Sequence, residues 1–412
     1  MRMLENILYD QHVEFISSDV WVPSSQCTKS MCPHSLFIEK DSSSLKQTKQ
    51  AFEVQYGSGS AVGIAAYDTL TINSFTSSNQ ALGLVTSAKG FFSSGTNSTD
   101  KASGILGLGF QGLLRNPNEE TFITNLVKNK VIDEPVFSIY LNKQGNYGYT
   151  GEIVLGGYET DRLMGGIRFL PVVNYDSTTG KANIGRSFRN SNSSKLYKYW
   201  TVAGQAVLSY LSDGTKLYES QFNDIQPVIL DTGTTLSYLA EDTVVSLLRT
   251  ITSNYKPLAL NEGTVQAYQV NCSDFLSQDI WFDFQFSTSI SDFSTSPVVI
   301  RVPLKELALP QDTDSIDTAK TCLFGLAPIS DSFVASVGRG WILGQTVLRS
   351  AYVVHDMLGL QIGIGAAANG YNLTTLDSGG STVIITHATS ISVAFCIILV
   401  LLAINIPSFM SK

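Results

Sequence analysis

Short runs of alternating apolar and polar residues fill much of the chain between about residues 17 and 366. Residues 51–56 alternate in this way, residues 57–60 read Gly-Ser-Gly-Ser, and apolar runs return at 61–68 and 69–72. A period of two is that of a β-strand, so this stretch predicts a β-hairpin with a glycine-rich tip. Further strands are predicted at residues 136–141, 151–157, 199–207, 351–356 and 361–365.

Two segments have the spacing of an amphipathic helix instead. Residues 121–130 repeat apolar side chains at helical intervals and end in cations. Residues 240–251 carry Glu241 and Asp242 near their start, where acids interact favourably with a helix dipole. Strands therefore dominate the prediction, and helices are few and short.

Length and one polar segment divide the chain. Its 412 residues are enough for two domains. Residues 174–198 are rich in Ser, Asn and Gly, which is typical of a surface connector. We expect an N-terminal lobe over residues 1–173, a C-terminal lobe over 199–370, a polar spacer over 371–392 and an apolar tail over 393–412.

Composition agrees with a strand-rich protein and excludes one class of partner. Aromatic residues make up 10% of the chain, and charged residues only 15%. The net charge is −8, and no basic cluster is present, so we expect no nucleic-acid binding. The chain has four histidines, none spaced to complete a cysteine pair, so no metal site is expected.

The five cysteines indicate an oxidising compartment. Cys27 and Cys32 are close in sequence, Cys272 and Cys322 enclose a long loop, and Cys396 stands alone in an apolar run. Two disulfides with one cysteine left over are the favoured interpretation, and scattered free thiols are the alternative. Four glycosylation sequons also fit a secreted glycoprotein, and they begin at Asn97, Asn192, Asn271 and Asn372.

The first residues do not fit secretion. Residues 1–10 (MRMLENILYD) contain no continuous apolar segment and no small-residue cleavage site. A secretory chain needs such a signal, so the prediction is a truncated or misassigned start.

The chemistry is expected at one short stretch. Residues 227–235 (PVILDTGTT) predict a buried strand that ends in a turn, with the ionisable Asp231 at its tip. An acid at the end of an apolar strand is costly unless it is hydrogen-bonded or functional, although a lone Asp-Thr-Gly is most often an ordinary turn. A weak internal repeat relates residues 102–109 to residues 340–345, and it places the counterpart of the Asp231 turn at residues 13–22.

These motifs together resemble the pepsin-type aspartic proteases, and in particular the yapsin-type enzymes of fungal cell surfaces. The resemblance covers roughly residues 14–366 and is carried in family order by SSDVWVPSSQC (17–27), VQYGSGSAVG (54–63), ILGLGF (105–110), ILDTGTTLSYL (229–239) and WILGQTVLRSAYVVHD (341–356). It implies an all-β fold of two lobes with a peptide-binding cleft between them. It also implies a monomeric peptidase that acts on peptides or proteins without a cofactor.

The resemblance assigns roles to individual residues. Asp231 would be one of two catalytic carboxyl groups, Thr232 would donate a hydrogen bond to the opposite lobe, Gly233 would permit close approach, and Thr234 would brace Asp231. Tyr56, Gly57 and Ser58 would form the tip of a flap over the substrate, and Trp21 would support the Tyr56 hydroxyl. The family pattern also pairs Cys27 with Cys32 and Cys272 with Cys322.

The first catalytic motif departs from the family pattern. Where the family has Asp-Thr-Gly, this chain has Glu14-Phe15-Ile16. The additional methylene of Glu14 moves its carboxyl group by about 1 Å, Phe15 lacks the hydroxyl for the cross-lobe hydrogen bond, and Ile16 is bulky where glycine is expected. A misassigned start and a catalytically impaired homologue that binds peptides or serves in the cell wall are the two explanations.

The C-terminal residues suggest attachment to a membrane. Small residues at 377–381 precede an apolar run at residues 393–404, which is too short for a typical transmembrane helix. The pattern favours a glycosylphosphatidylinositol (GPI) signal with Ser378 or Gly379 as the attachment site, and a retained membrane span is the alternative. The predicted location is the cell surface, and Cys396 would then be removed with the tail.

Overall fold

The computed structural model describes residues 12–14, 17–56, 59–90, 104–143, 150–174, 197–259, 265–313, 315–329, 340–368 and 389–394. Strands dominate these segments. The first part of the chain contributes β1 (His12–Glu14), β2 (Val20–Pro23), β3 (Lys46–Gln55), β4 (Ser60–Ile72), β5 (Phe75–Lys89), β6 (Ile105–Gly107), β7 (Val136–Leu141), β8 (Thr150–Leu155) and β9 (Leu163–Pro171).

The second part of the chain has the same character. Its strands are β10 (Thr201–Leu211), β11 (Lys216–Leu230), β12 (Ser237–Leu239), β13 (Tyr255–Ala259), β14 (Val265–Asn271), β15 (Ile280–Phe286), β16 (Val298–Pro303), β17 (Ala308–Pro310), β18 (Thr321–Phe324), β19 (Leu326–Pro328), β20 (Trp341–Leu343), β21 (Ala351–Asp356), β22 (Gln361–Ala367) and β23 (Thr389–Ala394). The α-helices are α1 (Phe122–Lys128), α2 (Glu241–Arg249), α3 (Cys272–Leu276) and α4 (Gln345–Leu348), and single 3₁₀ turns lie at Glu39–Asp41, Gln111–Leu113 and Leu304–Leu307.

Each half of the chain builds its own large sheet. The first half forms a six-stranded sheet in the order β1-β6-β2-β5-β4-β3. The second half forms a seven-stranded sheet in the order β16-β15-β10-β11-β20-β12-β19, and a four-stranded sheet in the order β13-β14-β18-β17. Because no strand of one half enters these sheets of the other, the molecule has two lobes.

A further sheet joins the two lobes. It has the order β23-β8-β7-β21-β22-β9, so strands of the first half flank strands of the second. The central pair, β7 and β21, is antiparallel, with Phe137 opposite His355. These sheets confirm the predicted all-β, two-lobed architecture.

An aromatic cluster fills the junction beside this sheet. The ring of Trp200 lies 4.1 Å from that of Phe110, 5.6 Å from Phe137 and 4.8 Å from His355, measured between centroids. His355 is fully buried, and this burial lowers its pKa to about 3 because a charged imidazole would lose its hydration. The junction is therefore packed with uncharged rings over most of the acid range.

The two predicted helices are confirmed. In α1, the side chain of Thr121 caps the first turn by accepting a hydrogen bond from the Thr124 N–H at 3.2 Å. In α2, Val244, Leu247 and Leu248 are buried on one face, as the periodicity indicates.

The apolar runs at 61–68 and 69–72 form a single strand, β4, and not two elements. Asp68 interrupts the apolar pattern between them, yet it is only 1% exposed. Its carboxyl group accepts hydrogen bonds from the hydroxyls of Ser42 and Ser44, and a register shift between Asp68 and Leu70 accommodates it. A polar residue can thus lie inside a strand when serines that are distant in sequence supply hydrogen bonds to its carboxyl group.

Both predicted disulfides are present. Cys27–Cys32 spans a sequence separation of 5, and Cys272–Cys322 spans one of 50. Since the loop entropy removed from the unfolded chain grows with loop length, the two bonds stabilise the fold by about 2 and about 4 kcal/mol, respectively. Cys396 lies outside the described residues.

Several predicted features also fall outside the described residues. They are the sequons at Asn97, Asn192 and Asn372, residues 175–196 of the connector, and the lipid-attachment candidates Ser378 and Gly379. Asn271 is described, and it is exposed at the end of β14. Strand β23 crosses the predicted boundary between spacer and tail. Within the described ranges, no helix is long and apolar enough to cross a membrane.

Candidate active site

The Asp231 side chain lies at the end of β11 and is fully buried. The Gly233 N–H donates a hydrogen bond to its Oδ1 at 3.1 Å, and the Thr234 hydroxyl donates to its Oδ2. The Asp231 N–H donates to the carbonyl of Leu343 at 3.0 Å. Both carboxyl oxygens are therefore held by the turn that follows the strand, as hydrogen bonding of a buried acid requires.

A glycine of the neighbouring strand makes this turn possible. Strands β11 and β20 are parallel, with Leu230 opposite Leu343. Asp231 and Gly344 are the next residues of these two segments, so they lie side by side. A Cβ atom at Gly344 would lie 2.2 Å from the carbonyl oxygen of Leu236 and 2.3 Å from that of Thr234. Only glycine fits there, because the turn after Asp231 passes directly over it.

The first lobe repeats this arrangement. Strands β1 and β6 are parallel, with Val13 opposite Leu106 and Glu14 opposite Gly107. A Cβ atom at Gly107 would lie 2.7 Å from the carbonyl oxygen of Asp19, in the turn that follows β1. The backbone of Glu14 thus occupies the position that corresponds to Asp231, as the sequence repeat suggests, while Phe15 and Ile16 lie outside the described residues.

Tyr56, at the end of β3, contacts the same turn of the first lobe. Its hydroxyl accepts a hydrogen bond from the Trp21 indole N–H at 3.1 Å and lies 3.1 Å from the Ser17 hydroxyl. The Tyr56 N–H donates to the Gly59 carbonyl at 2.8 Å, which closes the hairpin of β3 and β4. The contact between Trp21 and Tyr56 that the resemblance implies is therefore made. Gly57 and Ser58, the expected flap tip, lie outside the described residues.

Trp200 connects the two turns, a role that the sequence does not reveal. Its indole N–H donates to the Leu108 carbonyl at 2.9 Å, next to Gly107. Its own carbonyl accepts from the Leu230 N–H at 2.9 Å, next to Asp231. Trp200 thus links the backbone beside Gly107 to the backbone beside Asp231, and no local motif marks it.

The amino-acid sequence of the chain is similar to those of known proteins. A sequence profile of the eukaryotic aspartyl protease family matches residues 13–367. The chain belongs to this family. It is 28% identical to Rhizopuspepsin-4 of Rhizopus niveus over 354 residues, which are 86% of this chain and 72% of that protein. It is also 28% identical to gastricsin of Homo sapiens, over 85% of this chain and 76% of that protein, and to vacuolar protease A of Neurospora crassa, over 85% and 73%. By family it is a pepsin-like aspartic endopeptidase.

The resemblance to aspartic proteases implies a hydrogen bond from the Thr232 hydroxyl to the opposite lobe. Thr232 is 2% exposed, and its hydroxyl has no hydrogen-bond partner in the part of the chain that the structure describes. Its carbonyl, in contrast, accepts from the Gln345 side-chain amide at 2.9 Å. The Thr232 hydroxyl therefore makes no cross-lobe hydrogen bond to a described residue, and Phe15, which stands where the family has a threonine, lies outside the described residues.

Asp19 is a second titratable group at the first turn. The Arg115 backbone N–H donates to its carboxyl group at 3.1 Å, and the Asp19 carbonyl accepts from Gly107 N–H at 3.1 Å. Burial raises the pKa of Asp19 to about 6, although the Arg115 N–H and charge favour its ionised form. The carboxyl group of Asp19 therefore changes its protonation state in the mildly acidic range.

No cluster of three His, Cys, Asp or Glu side chains that could hold a metal ion occurs among the described residues. The arrangement around Asp231 offers carboxyl, hydroxyl and backbone N–H groups, which suit proton transfer.

Replacement by valine should have different effects on stability at the two threonines beside Asp231, Thr232 and Thr234. Thr234→Val removes a hydrogen bond to a buried carboxyl group, so the free energy of unfolding should fall by about 2 kcal/mol. Thr232→Val removes a buried hydroxyl without a partner, so the free energy of unfolding should stay constant or rise by about 1 kcal/mol. Urea unfolding of the two variants measures both values. A similar loss in both variants would show that the Thr232 hydroxyl has a partner after all.

Asp19 predicts a pH dependence of stability. Because its pKa is higher in the folded chain than in the unfolded one, the folded state binds more protons between about pH 4 and 6. Its contribution to the free energy of unfolding should therefore decrease as the pH rises through this window. Asp19→Asn should match the original chain near pH 4 and be more stable above pH 6, as measured by urea unfolding across this range. Asp133→Asn, at an exposed carboxylate, is the control, and an equal effect there would contradict the prediction.

Proposed function

We propose that this chain is an acid endopeptidase in which Asp231 is one of two carboxyl groups that activate water. The observation that carries the proposal is the fully buried Asp231 carboxyl group, held by Gly233 and Thr234, with the backbone of Glu14 at the matching position of the other lobe. Two carboxyl groups at close range share one proton, because both cannot ionise comfortably.

The shared proton gives the two groups different roles. The ionised carboxylate removes a proton from the water molecule between them as a general base, while the protonated group polarises the scissile carbonyl. The attack needs neither a covalent intermediate nor a cofactor. Peptides or proteins are the substrates, with the chain acting as a monomer.

The hairpin of β3 and β4 supplies the cover of the site in this proposal. The hydroxyl of Tyr56 is held by Trp21 and Ser17, which fixes the position of this side chain. The hairpin tip with Gly57 and Ser58 would then close over a bound peptide. Closure would exclude water other than the attacking molecule and order the substrate backbone.

A second candidate function is peptide binding with little turnover. The Thr232 hydroxyl favours it, because it has no hydrogen-bond partner among the described residues and the first motif has Phe15 where the family has a threonine. Glu14 keeps a carboxyl group but displaces it by about 1 Å, which is enough to weaken catalysis strongly. A protein with an intact cleft and an imperfect carboxyl pair would bind peptides or serve in the cell wall.

We also propose a location and a division of the chain. The two lobes would comprise residues 1–173 and 199–370, joined by the connector at 174–198, as the separate sheets of the two halves support. Two disulfides and the exposed sequon at Asn271 support an extracellular or lumenal compartment. A GPI anchor at Ser378 or Gly379, within the spacer at 371–392, would hold this yapsin-type protein at the cell surface, and the apolar tail at 393–412 would be removed when the anchor is attached.

Restoring the first motif tests the enzymatic proposal. The chain carrying Glu14→Asp, Phe15→Thr and Ile16→Gly should cleave a fluorogenic peptide at acid pH about 10²- to 10⁴-fold faster than the original chain, which is the usual effect of one well-placed acid or base. Pepstatin should inhibit the restored enzyme. Asp231→Asn in the restored chain is the control and should abolish the cleavage.

Two results would overturn parts of this assignment. Near-full, pepstatin-sensitive activity of the original chain would exclude an impaired first motif. A restored chain that is folded but inactive would exclude residue 14 as the second carboxyl position. Fluorescence anisotropy with labelled pepstatin separates the two candidate functions, since a peptide-binding protein retains the ligand without cleaving substrates.

The anchor predicts a biochemical signature. In a eukaryotic host, the protein should be found in the membrane fraction and be released by a phospholipase C that is specific for phosphatidylinositol. Ser378→Leu with Gly379→Leu should prevent this release, because the attachment site requires small residues. A protein that remains on the membrane after phospholipase treatment and contains residues 393–412 by mass spectrometry would contradict the anchor.

A further inference from the structure

The four-stranded sheet of the second lobe carries polar side chains together at one end. Strand β14 pairs with β13 on one side, where Gln269 lies opposite Lys256, and with β18 on the other, where Asn271 lies opposite Thr321. Residues that lie opposite each other in a sheet share a face, and so do residues two apart in one strand. The side chains of Lys256, Gln269, Asn271 and Thr321 therefore lie on one face, and we call these four residues the polar patch.

A half-open cavity of about 150 Å³ lies over the polar patch. Cavities of about this volume accommodate one six-membered ring, such as benzene. The polar patch and Asn254 supply amide, hydroxyl and ammonium groups to the lining, and the described residues that line the cavity include no carboxylate. The cavity therefore suits a small neutral ligand with several hydrogen-bonding groups.

Asn271 offers a covalent attachment point at the edge of this cavity. It is exposed and begins the sequon Asn271-Cys272-Ser273. It also precedes α3, but its side chain makes no capping hydrogen bond to that helix, so its amide is available. The Asn271 backbone is held by its pairing with Thr321, and the next residue forms the disulfide Cys272–Cys322. A sugar on Asn271 thus begins from a fixed point beside the polar patch.

We propose that the polar patch binds the first N-acetylglucosamine of a glycan attached to Asn271. The inference rests on the proposed extracellular or lumenal compartment, in which sequons are glycosylated. The hydroxyl and acetamide groups of this sugar are neutral donors and acceptors, which match the Gln269 amide, the Thr321 hydroxyl and the Lys256 ammonium group. Covalent attachment gives the sugar a high effective concentration at the patch, so individually weak hydrogen bonds suffice to hold it.

The sheet edge gains most from an occupied patch. Strand β13 is the outermost strand in the order β13-β14-β18-β17, and β14 is its neighbour. Because Lys256, Gln269 and Thr321 belong to three successive strands, a sugar bound to all three bridges β13 to β18. Local opening is easiest at such an edge, so the bound sugar should slow the opening of β13.

Hydrogen exchange of the full chain tests this effect. The protein is produced in a eukaryotic host and trimmed with an endoglycosidase that leaves one N-acetylglucosamine on each glycosylated asparagine. Its β13 amides should exchange about fivefold more slowly than those of Ser273→Ala, which keeps Asn271 but destroys the sequon, since this is the effect of roughly one net hydrogen bond. Exchange in β15, in another sheet of the same lobe, should be equal in both proteins.

A variant of the patch separates binding from mere attachment. Gln269→Met/Thr321→Val removes hydrogen-bonding groups while keeping side-chain size, so the sugar should no longer slow exchange in β13 when each chain is compared with its own Ser273→Ala partner. Gln285→Met, at a half-buried glutamine of β15, is the matched control and should keep the full effect. No slowing in the original chain, or equal slowing in the patch variant and the control, would overturn the proposal.

Mass spectrometry of the same protein separates this proposal from the broader ones. A sugar at Asn97, Asn192 or Asn372 with none at Asn271 would overturn the sugar-binding patch alone. No sugar at any of the four sequons would overturn the proposed compartment as well. Peptide cleavage by the Asp231 site is measured independently of both results.

Discussion

Burial of the Asp231 carboxyl group is the constraint on which the centre of the molecule depends. A buried acid without hydrogen-bond donors costs several kcal/mol, so the chain after β11 must turn at once to bring the Gly233 N–H and the Thr234 hydroxyl to it. That turn passes over β20 so closely that only Gly344 fits beneath it. One ionisable group therefore determines the local backbone, the crossing of two strands and the identity of a residue more than one hundred positions away.

The first lobe keeps this construction but changes its chemistry. Gly107 lies beneath the turn that carries Ser17 and Asp19, and Trp21 and Ser17 contact the Tyr56 hydroxyl. The change is confined to residues 14–16, where Glu, Phe and Ile replace the family pattern. The Thr232 hydroxyl, which has no hydrogen-bond partner among the described residues, is a local conflict on the opposite side of the site, and functional sites are where such conflicts concentrate.

The local pattern of apolar and polar residues was enough to predict the helices, most strands and the hairpin of β3 and β4, because the periodicity of each element lies in consecutive residues. The disulfides and the contact of Trp21 with Tyr56 followed from the family resemblance. What was missed depends on distant partners. Asp68 lies inside β4 because Ser42 and Ser44 satisfy it, and Trp200 is placed between the two site turns by backbone groups of both lobes. Strand β23 lies in the segments that the sequence predicts as spacer and tail. Its pairing partner, β8, is more than two hundred residues away, so the local sequence does not reveal the strand.

The contacts of Trp200 and the sheet that joins the lobes hold both halves of the candidate site in place. Against this framework, the identity of residues 14–16 bears directly on the function. Trp200 holds the backbone next to Gly107 and next to Asp231, and the sheet of both lobes fixes their relative orientation through the pairing of β7 with β21. Catalysis by positioned carboxyl groups tolerates errors of only about 0.5 Å, so it depends on this framework as much as on the carboxyl groups themselves. Among the described residues this framework is retained, and the departure from the family sequence pattern lies at Glu14, Phe15 and Ile16.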